Sequence, residues 1–366
     1  MITRRALLGG AVLAATGCRR RAAFSGYAFV ANEDGGAIAA VDMGAFAVAR
    51  HIRLDGAPNA VDADQRTLRV YALTPDNGHL HEIRADRLEL TRTVDAGRRA
   101  IAMRRTAKYI YVLSTDPPRI SAVSRNTFRV AWSVSLPAVP VDFDLSPTGE
   151  FLAISYGPRN AVQLLPIANR RLREAMNCSG ETGAVRFQKD SAQLIVAGLG
   201  ERMLYVFLTA TGQLVTKLPL AVRPEHFCFN DDGGQLFVTG QGMDAVVVVY
   251  PFYTPQIGET VLAGREPGAM AASPSRLFVA NSKSGDVSIL NIDSRKVIAV
   301  APAGANPGYI AITPDGQYAL VLNEDSGDIA VLWVPGITTR THAPTAPLLT
   351  MIPVGSRPVS AAFIAI

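Results

Sequence analysis

The chain has 366 residues, of which 48% are hydrophobic and 18% are charged, a composition that excludes an intrinsically disordered protein. The formal net charge is only +5 and no dense run of Lys and Arg lies in the body of the chain, which excludes a nucleic-acid-binding protein. The length suits one large β domain or two ordinary domains.

Residues 1–18 have the composition of a bacterial export signal. A short positive segment, MITRR, precedes the apolar segment ALLGGAVLAAT, which is too short to span a bilayer as a mature helix. Residues 3–8 resemble a twin-arginine export signal, and residues 15–18 resemble a lipobox, whose cysteine becomes a lipidated N-terminus. Ala15 stands where leucine is more usual, so plain secretion without lipidation is the alternative.

We therefore expect a signal peptide over residues 1–18, lipidation of Cys18, a linker over 19–24 and a folded domain over 25–366. A diacylated cysteine tethers a protein to a membrane surface without threading the chain through it. The expected location is the bacterial cell envelope, on its periplasmic or cell-surface face. Inner and outer membranes remain open alternatives.

One short apolar strand recurs eight times along the rest of the chain. Tight turns rich in Asp, Gly, Ser and Pro, such as NDDGGQL and TPDGQY, precede most copies, and these residues favour hairpins. Another short apolar strand precedes each turn, so each unit is predicted to contain four antiparallel strands, a to d. Four-stranded units with a period of roughly forty residues are typical of a β-propeller. The eight copies lie at residues 27–32, 69–74, 109–114, 151–156, 194–199, 236–241, 277–282 and 319–324.

The two ends of the chain are predicted to complete one blade together. The C-terminal segment SRPVSAAFIAI supplies strand a alone, and the segment that begins GYAFVAN supplies strands b, c and d. The fold class is therefore an all-β propeller of eight blades. Seven is the alternative if a weak unit such as 57–97 is misassigned. The predicted blades are 356–366 with 25–56, then 57–97, 98–138, 139–180, 181–221, 222–264, 265–304 and 305–355.

In such a propeller the strands a line the central channel, and the d–a loops share one rim with the b–c turns. We call this the top rim. Convergent arginines there would hold an anionic ligand. The alternative, which we prefer, is that these side chains face water, with pairs such as Arg265 and Glu266 solvated. The polar residues predicted in the d–a loops are Asn59, Arg98, Arg99, Glu181, Arg223, Glu225, His226, Arg265, Glu266, Asn306 and Arg357.

Two histidine positions stand out. His226 lies where strand a of its blade enters the channel, and it is either an acid–base group or ligand, or a structural residue bonded to a neighbouring blade. His79 and His81 share one face of a strand c, a spacing that can hold a metal, but no third ligand is visible nearby. We therefore predict a packed or solvated pair and no metal. Glu82 needs a partner if it is buried.

Other features point to structure more than to chemistry. Cys178 and Cys228 fall in non-adjacent repeats, so we predict two buried thiols and no disulfide. The segment 334–349 lengthens the c–d connection of the last blade and is predicted to be an insertion on the bottom rim. The sequence contains no G-x-S-x-G, P-loop, dinucleotide-binding, H-E-x-x-H or C-x-x-C-H motif, so no cofactor is predicted.

The segments LFVANSKSGDVSILNID, ITPDGQYALVLNEDSGDIAVL and MIPVGSRPVSAAF resemble the YVTN-repeat β-propeller family of bacterial envelope and surface proteins. The resemblance is strongest over residues 265–366 and 25–45. It implies the propeller fold, but the family includes binding modules, lactonase-like proteins and quinoprotein-related subunits, so it implies function only loosely.

The preferred function is a non-catalytic, membrane-tethered monomer that binds an envelope protein, peptide or glycan through its top rim. One alternative is a lactonase-like hydrolase that opens a small cyclic ester at the channel mouth, with His226 and Arg223 as the nearest catalytic groups. Another is a periplasmic redox or cofactor-handling subunit. The first hypothesis places the site at the top rim and the second at the channel mouth.

Overall fold

The computed structural model describes residues 24–337 and 347–366 of the chain. These residues form eight four-stranded antiparallel sheets arranged as the blades of a propeller. Blade 1 contains β1 (Gly26–Asn32), β2 (Ala37–Asp42), β3 (Ala47–Arg53) and the last strand, β32 (Pro358–Ala365). Blade 2 contains β4 (Ala60–Asp64), β5 (Arg69–Thr74), β6 (His79–Arg84) and β7 (Glu89–Asp95).

The chain then builds blades 3 to 5 in order. Blade 3 contains β8 (Ala100–Arg105), β9 (Tyr109–Thr115), β10 (Pro118–Ser124) and β11 (Val130–Ser135). Blade 4 contains β12 (Asp142–Leu145), β13 (Phe151–Ser155), β14 (Ala161–Pro166) and β15 (Met176–Asn177). Blade 5 contains β16 (Thr182–Phe187), β17 (Gln193–Gly198), β18 (Met203–Leu208) and β19 (Leu214–Pro219).

Blades 6 to 8 complete the ring, and two short 3₁₀ turns lie at Gly157–Arg159 and Val334–Gly336. Blade 6 contains β20 (His226–Phe229), β21 (Leu236–Thr239), β22 (Ala245–Tyr250) and β23 (Gln256–Leu262). Blade 7 contains β24 (Pro267–Ala272), β25 (Arg276–Asn281), β26 (Asp286–Asn291) and β27 (Lys296–Pro302). Blade 8 contains β28 (Pro307–Ile312), β29 (Tyr318–Asn323), β30 (Asp328–Trp333) and β31 (Leu348–Pro353).

The predicted closure of the ring is confirmed. Strand β32 pairs with β1 in antiparallel register from Gly26 opposite Ala365 to Asn32 opposite Pro358. Ser25 and Ile366 extend this ladder, because the Ile366 amide donates to the Ser25 carbonyl at 3.0 Å. The Gln65 side chain of blade 2 both donates to and accepts from the Ala365 backbone, at 2.9 and 2.7 Å. The alternative of seven blades is wrong, since residues 57–97 form a complete blade.

The hydrophobic core lies between the blades. Each sheet covers its neighbour, so strands b and c are buried on both faces, as in the fully apolar β22. Between blades 1 and 2, Phe29 and Ile38 pack with Val70 and Ile83, all four with no exposed surface. The outermost strands face solvent on one side and alternate, as in β7.

Two regions differ from the regular pattern. In blade 4 the outer strand shrinks to β15, because the polar run Asn169–Arg173 replaces the apolar alternation that a strand d needs. In blade 8 the predicted insertion 334–349 begins with the second 3₁₀ turn, and β31 already starts at Leu348. Residues 338–346 of that insertion lie outside the described residues.

The expected leader and Cys18 also lie outside the described residues, so they remain predictions. Among the described residues, no helix has the length and apolar character needed to cross a membrane. Cys178 and Cys228 are both free and partly buried, and burial raises the pKa of each thiol to about 12.

We predict that Ile364→Ala destabilises the protein by about 2–5 kcal/mol, because this fully buried side chain belongs to the core between blades 1 and 2. The matched control is Ile366→Ala, whose side chain is 56% exposed, and we expect a change within about 0.5 kcal/mol. Urea unfolding of both variants measures the difference. Equal stability of the two variants would show that β32 does not close the ring.

Candidate functional site

Three buried asparagines at the ends of strands b fix the d–a loops of the top rim. The Asn32 side chain donates to the Val354 carbonyl at 2.7 Å, and that of Asn323 donates to the Ala303 carbonyl at 3.4 Å. The Asn281 side chain packs beneath Gly264, where an added Cβ would lie 2.5 Å from its Nδ2. The recurring Asn of the strand pattern is therefore architectural.

The predicted rim arginines do not form one site. They lie on four different blades, since Arg98 and Arg99 precede β8, Arg223 precedes β20, Arg265 precedes β24 and Arg357 precedes β32. Because loops on different blades are spread around the ring, no cavity described here is lined by more than one of these five arginines.

The rim charges are used in local pairs. Arg357 lies 3.1 Å from Glu33 and 3.7 Å from Glu324, and Arg223 lies 3.7 Å from Glu225. The predicted pairing of Arg265 with Glu266 is wrong, because Glu266 pairs with Lys283 of the adjacent b–c turn at 2.8 Å.

A cavity of about 600 Å³ opens on the top rim between blades 6 and 7. We call it the His226 pocket. It contains three carboxylates, and none of its lining residues is Lys or Arg, so the convergent arginines considered for an anionic ligand are absent from this pocket. The pocket is lined by Glu225, His226, Gly240, Gln241, Gly242, Met243, Asp244, Glu266, Pro267, Gly268 and Ser282.

Gly240 explains why the pocket forms in blade 6. In the repeated strand it stands where Asn281 stands in blade 7. A Cβ at Gly240, which has a φ of +152°, would lie 1.8 Å from the Arg223 carbonyl oxygen. The glycine therefore allows the d–a loop to pass close to strand b, and Glu225 and His226 then border the cavity. The missing asparagine in LFVTGQ was the sequence signal for this site.

The His226 ring is available to a ligand. It begins β20 opposite Thr239 and is accessible through the cavity. Of the histidines in residues 24–337 and 347–366, it is the one whose ring has no hydrogen-bond partner, so the predicted bond to a neighbouring blade is not observed. Burial lowers the pKa of His226, the Glu225 charge partly offsets this effect, and Arg186 adds to it.

A second polar cluster lies on the top rim at blade 2. The sequence indicated the pair His79 and His81 but missed a third member, Asp55, which lies in the loop between blades 1 and 2. Asp55 Oδ2 is 2.6 Å from His79 Nδ1, and Asp55 Oδ1 is 3.2 Å from His81 Nε2. A single carboxylate in a loop some twenty residues upstream gives no spacing signal in the sequence.

The charge states in this cluster follow from its contacts. Burial would raise the pKa of Asp55, but hydrogen bonds from His79 and Asn77 outweigh it and lower that pKa. Burial lowers the pKa of His81, and the Asp55 charge only partly offsets this effect. The carboxylate is therefore ionised at neutral pH, and His81 favours the neutral form.

The partner of Glu82 is Arg92, on the bottom rim. Glu82 is only 2% exposed, and its carboxylate accepts from Arg92 Nε at 2.9 Å and from Thr91 at 3.0 Å. Arg92 also donates to the backbone carbonyls of Asn126 and Arg125 in blade 3. This ion pair, between a buried carboxylate and a partly exposed guanidinium, therefore ties blade 2 to blade 3.

No protein-family model and no curated protein matches the chain. Among solved structures, the dihydro-heme d1 dehydrogenase NirN in complex with DHE is similar, with a TM-score of 0.73 and 13% identity over 92% of this chain and 77% of that chain. Apo AztD from Citrobacter koseri has a TM-score of 0.70 and 11% identity over 93% of this chain and 98% of that chain.

Kuenenia stuttgartiensis hydrazine synthase is also similar, with a TM-score of 0.61 and 15% identity over 75% of this chain and 95% of that chain. Identities this low show the fold alone. The resemblance to YVTN-repeat proteins therefore remains a prediction.

We predict that His226 titrates below the ordinary histidine pKa of 6.5 and is neutral at pH 7, because its surroundings disfavour the charged ring. NMR titration of the ring resonances measures this pKa. In Glu225→Gln the pKa should fall further, since the glutamate charge raises it. A pKa at or above 6.5 would contradict the burial of the ring, and a rise in Glu225→Gln would contradict the contact with the Glu225 charge.

Proposed function

We propose that the protein is an exported, non-catalytic binding propeller of the bacterial envelope, which holds a partner protein or peptide by a cationic group seated in the His226 pocket. The observation that carries this proposal is the set of three carboxylates around an unpaired imidazole. Glu225 and Glu266 each have one cationic neighbour outside the pocket lining, Arg223 and Lys283, and Asp244 has none among the described residues. A Lys or Arg side chain of the partner would meet acceptors from two blades at once, and charge-assisted hydrogen bonds are the stronger kind.

The pocket lining favours a protein or peptide over a glycan or a cyclic ester. Its lining contains no Tyr, Trp or Phe among the described residues, so it offers no aromatic platform for a sugar ring. It also offers no Lys or Arg to stabilise the oxyanion that forms when a cyclic ester opens, and its carboxylates would repel that charge. We therefore do not propose the lactonase-like reaction.

The envelope location rests on the leader. The twin-arginine-like segment and the lipobox-like segment ending at Cys18 support export and a lipid tether. A tether would fix the protein near a membrane surface and restrict it to partners in that compartment. The short distance along the chain from Cys18 to β1 would keep the propeller close to that surface.

The test replaces the carboxylates by amides that keep the local hydrogen bonds. Asp244 Oδ1 accepts from the Glu266 amide at 2.9 Å, and Asn provides the same oxygen. We predict that Asp244→Asn combined with Glu266→Gln weakens partner binding at least about tenfold, roughly 1.4 kcal/mol, because the cation loses two opposite charges. The partner is first identified by cross-linking in cells, and its affinity for each purified variant is then measured.

The matched control is Glu174→Gln, which removes one exposed carboxylate away from the top rim and should leave the affinity unchanged. Binding to the wild type should also weaken as salt is added, since a partly exposed charge contact is screened. Equal affinity of the wild type and the double variant would refute the proposed site.

A second candidate function is a cofactor-handling subunit. Two observations favour it. The unpaired, neutral imidazole of His226 is a suitable ligand for a metal centre. The fold is similar to that of the dihydro-heme d1 dehydrogenase NirN, whose structure was solved in complex with DHE. His226 would hold such a cofactor by ligating its iron. The three carboxylates oppose a ligand that carries its own carboxylates, so this function ranks second.

This second function predicts that ferric haem, used as the probe, binds the purified protein with a shifted Soret band, and that His226→Ala abolishes the shift. His51→Ala is the control, because His51 is exposed on β3 and bonds the Val354 carbonyl at 2.8 Å. An unshifted band, or an equal effect of both substitutions, would eliminate the cofactor function without affecting partner binding.

A further inference from the structure

The cluster on the top rim of blade 2 brings three metal-ligating groups to one point. His79 and His81 lie on the same side of β6, because alternate residues of a strand share a face. The loop after β3 carries Asp55 to that face, and the three ligand atoms all lie within 4.8 Å of one another. None of these residues lines the His226 pocket.

We propose that Asp55, His79 and His81 bind one divalent transition-metal cation, for which Zn²⁺ is the best fit. Two imidazole nitrogens and one carboxylate oxygen form a common zinc ligand set, which leaves a fourth position for water or a partner's donor. Tetrahedral Zn²⁺ with bonds of about 2.0–2.2 Å needs ligand atoms roughly 3.3–3.5 Å apart. The two separations from Asp55, 2.6 and 3.2 Å, therefore need to grow by under about 1 Å. The His79 and His81 ligand atoms, which lie within 4.8 Å of each other, need to approach by at most about 1.5 Å, within reach of side-chain rotations.

A shell of hydrogen bonds already orients the proposed ligands. Thr93 Oγ1 lies 3.0 Å from His81 Nδ1, and His81 Nε2 faces both Asp55 Oδ1 at 3.2 Å and Thr74 Oγ1 at 3.1 Å. The Asn77 amide donates to Asp55 Oδ1 at 2.8 Å and to the Asp55 carbonyl at 3.1 Å, so the loop is fixed to blade 2. Such outer partners set the ring orientation and basicity of metal-ligating histidines.

The cluster differs from a group of exposed polar side chains because one of its members, His81, is buried. The His81 side chain is only 1% exposed, so the ring cannot turn away into solvent, while Asp55 is 49% exposed and leaves a route for the ion. The bound cation would join the loop between blades 1 and 2 to strand β6. The alternative is a carboxylate that bridges two imidazoles through protons alone, with no affinity for metal.

The two alternatives are separated by titrating the protein with Zn²⁺. The protein carries no histidine tag, is stripped of metal with a chelator, and competes with a chromophoric chelator for the ion. We expect one equivalent of Zn²⁺ to bind, and we expect His79→Ala and Asp55→Asn each to weaken binding at least about a hundredfold, more than the loss of an outer-shell partner costs. Both positions are partly exposed, so both variants should fold, which circular dichroism checks.

A histidine substitution elsewhere serves as the control: His51→Ala on β3 should bind Zn²⁺ like the wild type. Zn²⁺ should also raise the midpoint of thermal unfolding of the wild type but not of His79→Ala. No binding by the wild type, or equal binding by the wild type, His79→Ala and Asp55→Asn, would overturn the proposal, and neither result would bear on partner binding at the His226 pocket.

Discussion

The structure depends on the pairing of its first and last strands. A four-stranded sheet with two apolar faces is not stable alone in water, so each blade must be covered on both sides. Only a closed ring covers every blade, and the contact of β32 with β1 is the one closure not made by the continuous chain. Because β32 also contacts β4, the same strand seals the cores on either side of blade 1. This closure fixes the position of every top-rim loop relative to the others.

Most of the polar residues that recur in the sequence repeat serve the architecture, through ring closure and buried hydrogen bonds. The recurring asparagines hold the d–a loops, and charged residues such as Glu82 and Arg92 join neighbouring blades. The polar groups available to a ligand are those that make no such structural bond. The His226 ring is such a group, since it faces a cavity and has no partner within the described part of the chain. The net charge of +5 gives no warning of the acidity of that pocket, because a local set of carboxylates is independent of the total.

The repeat in the sequence was sufficient to predict eight blades, their order and the shared blade, since strand and turn patterns act within each unit. The site was less predictable, because it depends on contacts between units. His226 was identified from its place at the start of a strand a, but Asp244 and Asp55 were not, as each acts across a seam between loops that the sequence does not show to be adjacent. The pairing of Glu266 with Lys283 was missed for the same reason. The shortened β15 shows the reverse case, in which a local polar run overrides the repeat.

Both proposed sites lie in blades whose strand b departs from the asparagine rule. In blades 1, 7 and 8 the asparagine fills the space under the d–a loop, with Asn32, Asn281 and Asn323 in that place. Blade 6 has Gly240 there, and the loop before it borders a cavity. Blade 2 has Thr74, which is shorter than Asn and bonds Asn77 at 2.6 Å and His81 at 3.1 Å. Loss of the asparagine removes one tie between loop and strand, and in blade 2 Asn77 replaces it by donating to Asp55. Blades 3, 4 and 5 also lack the asparagine, with Ser114, Ser155 and Gly198 in its place, so its loss permits a site on the top rim without specifying one.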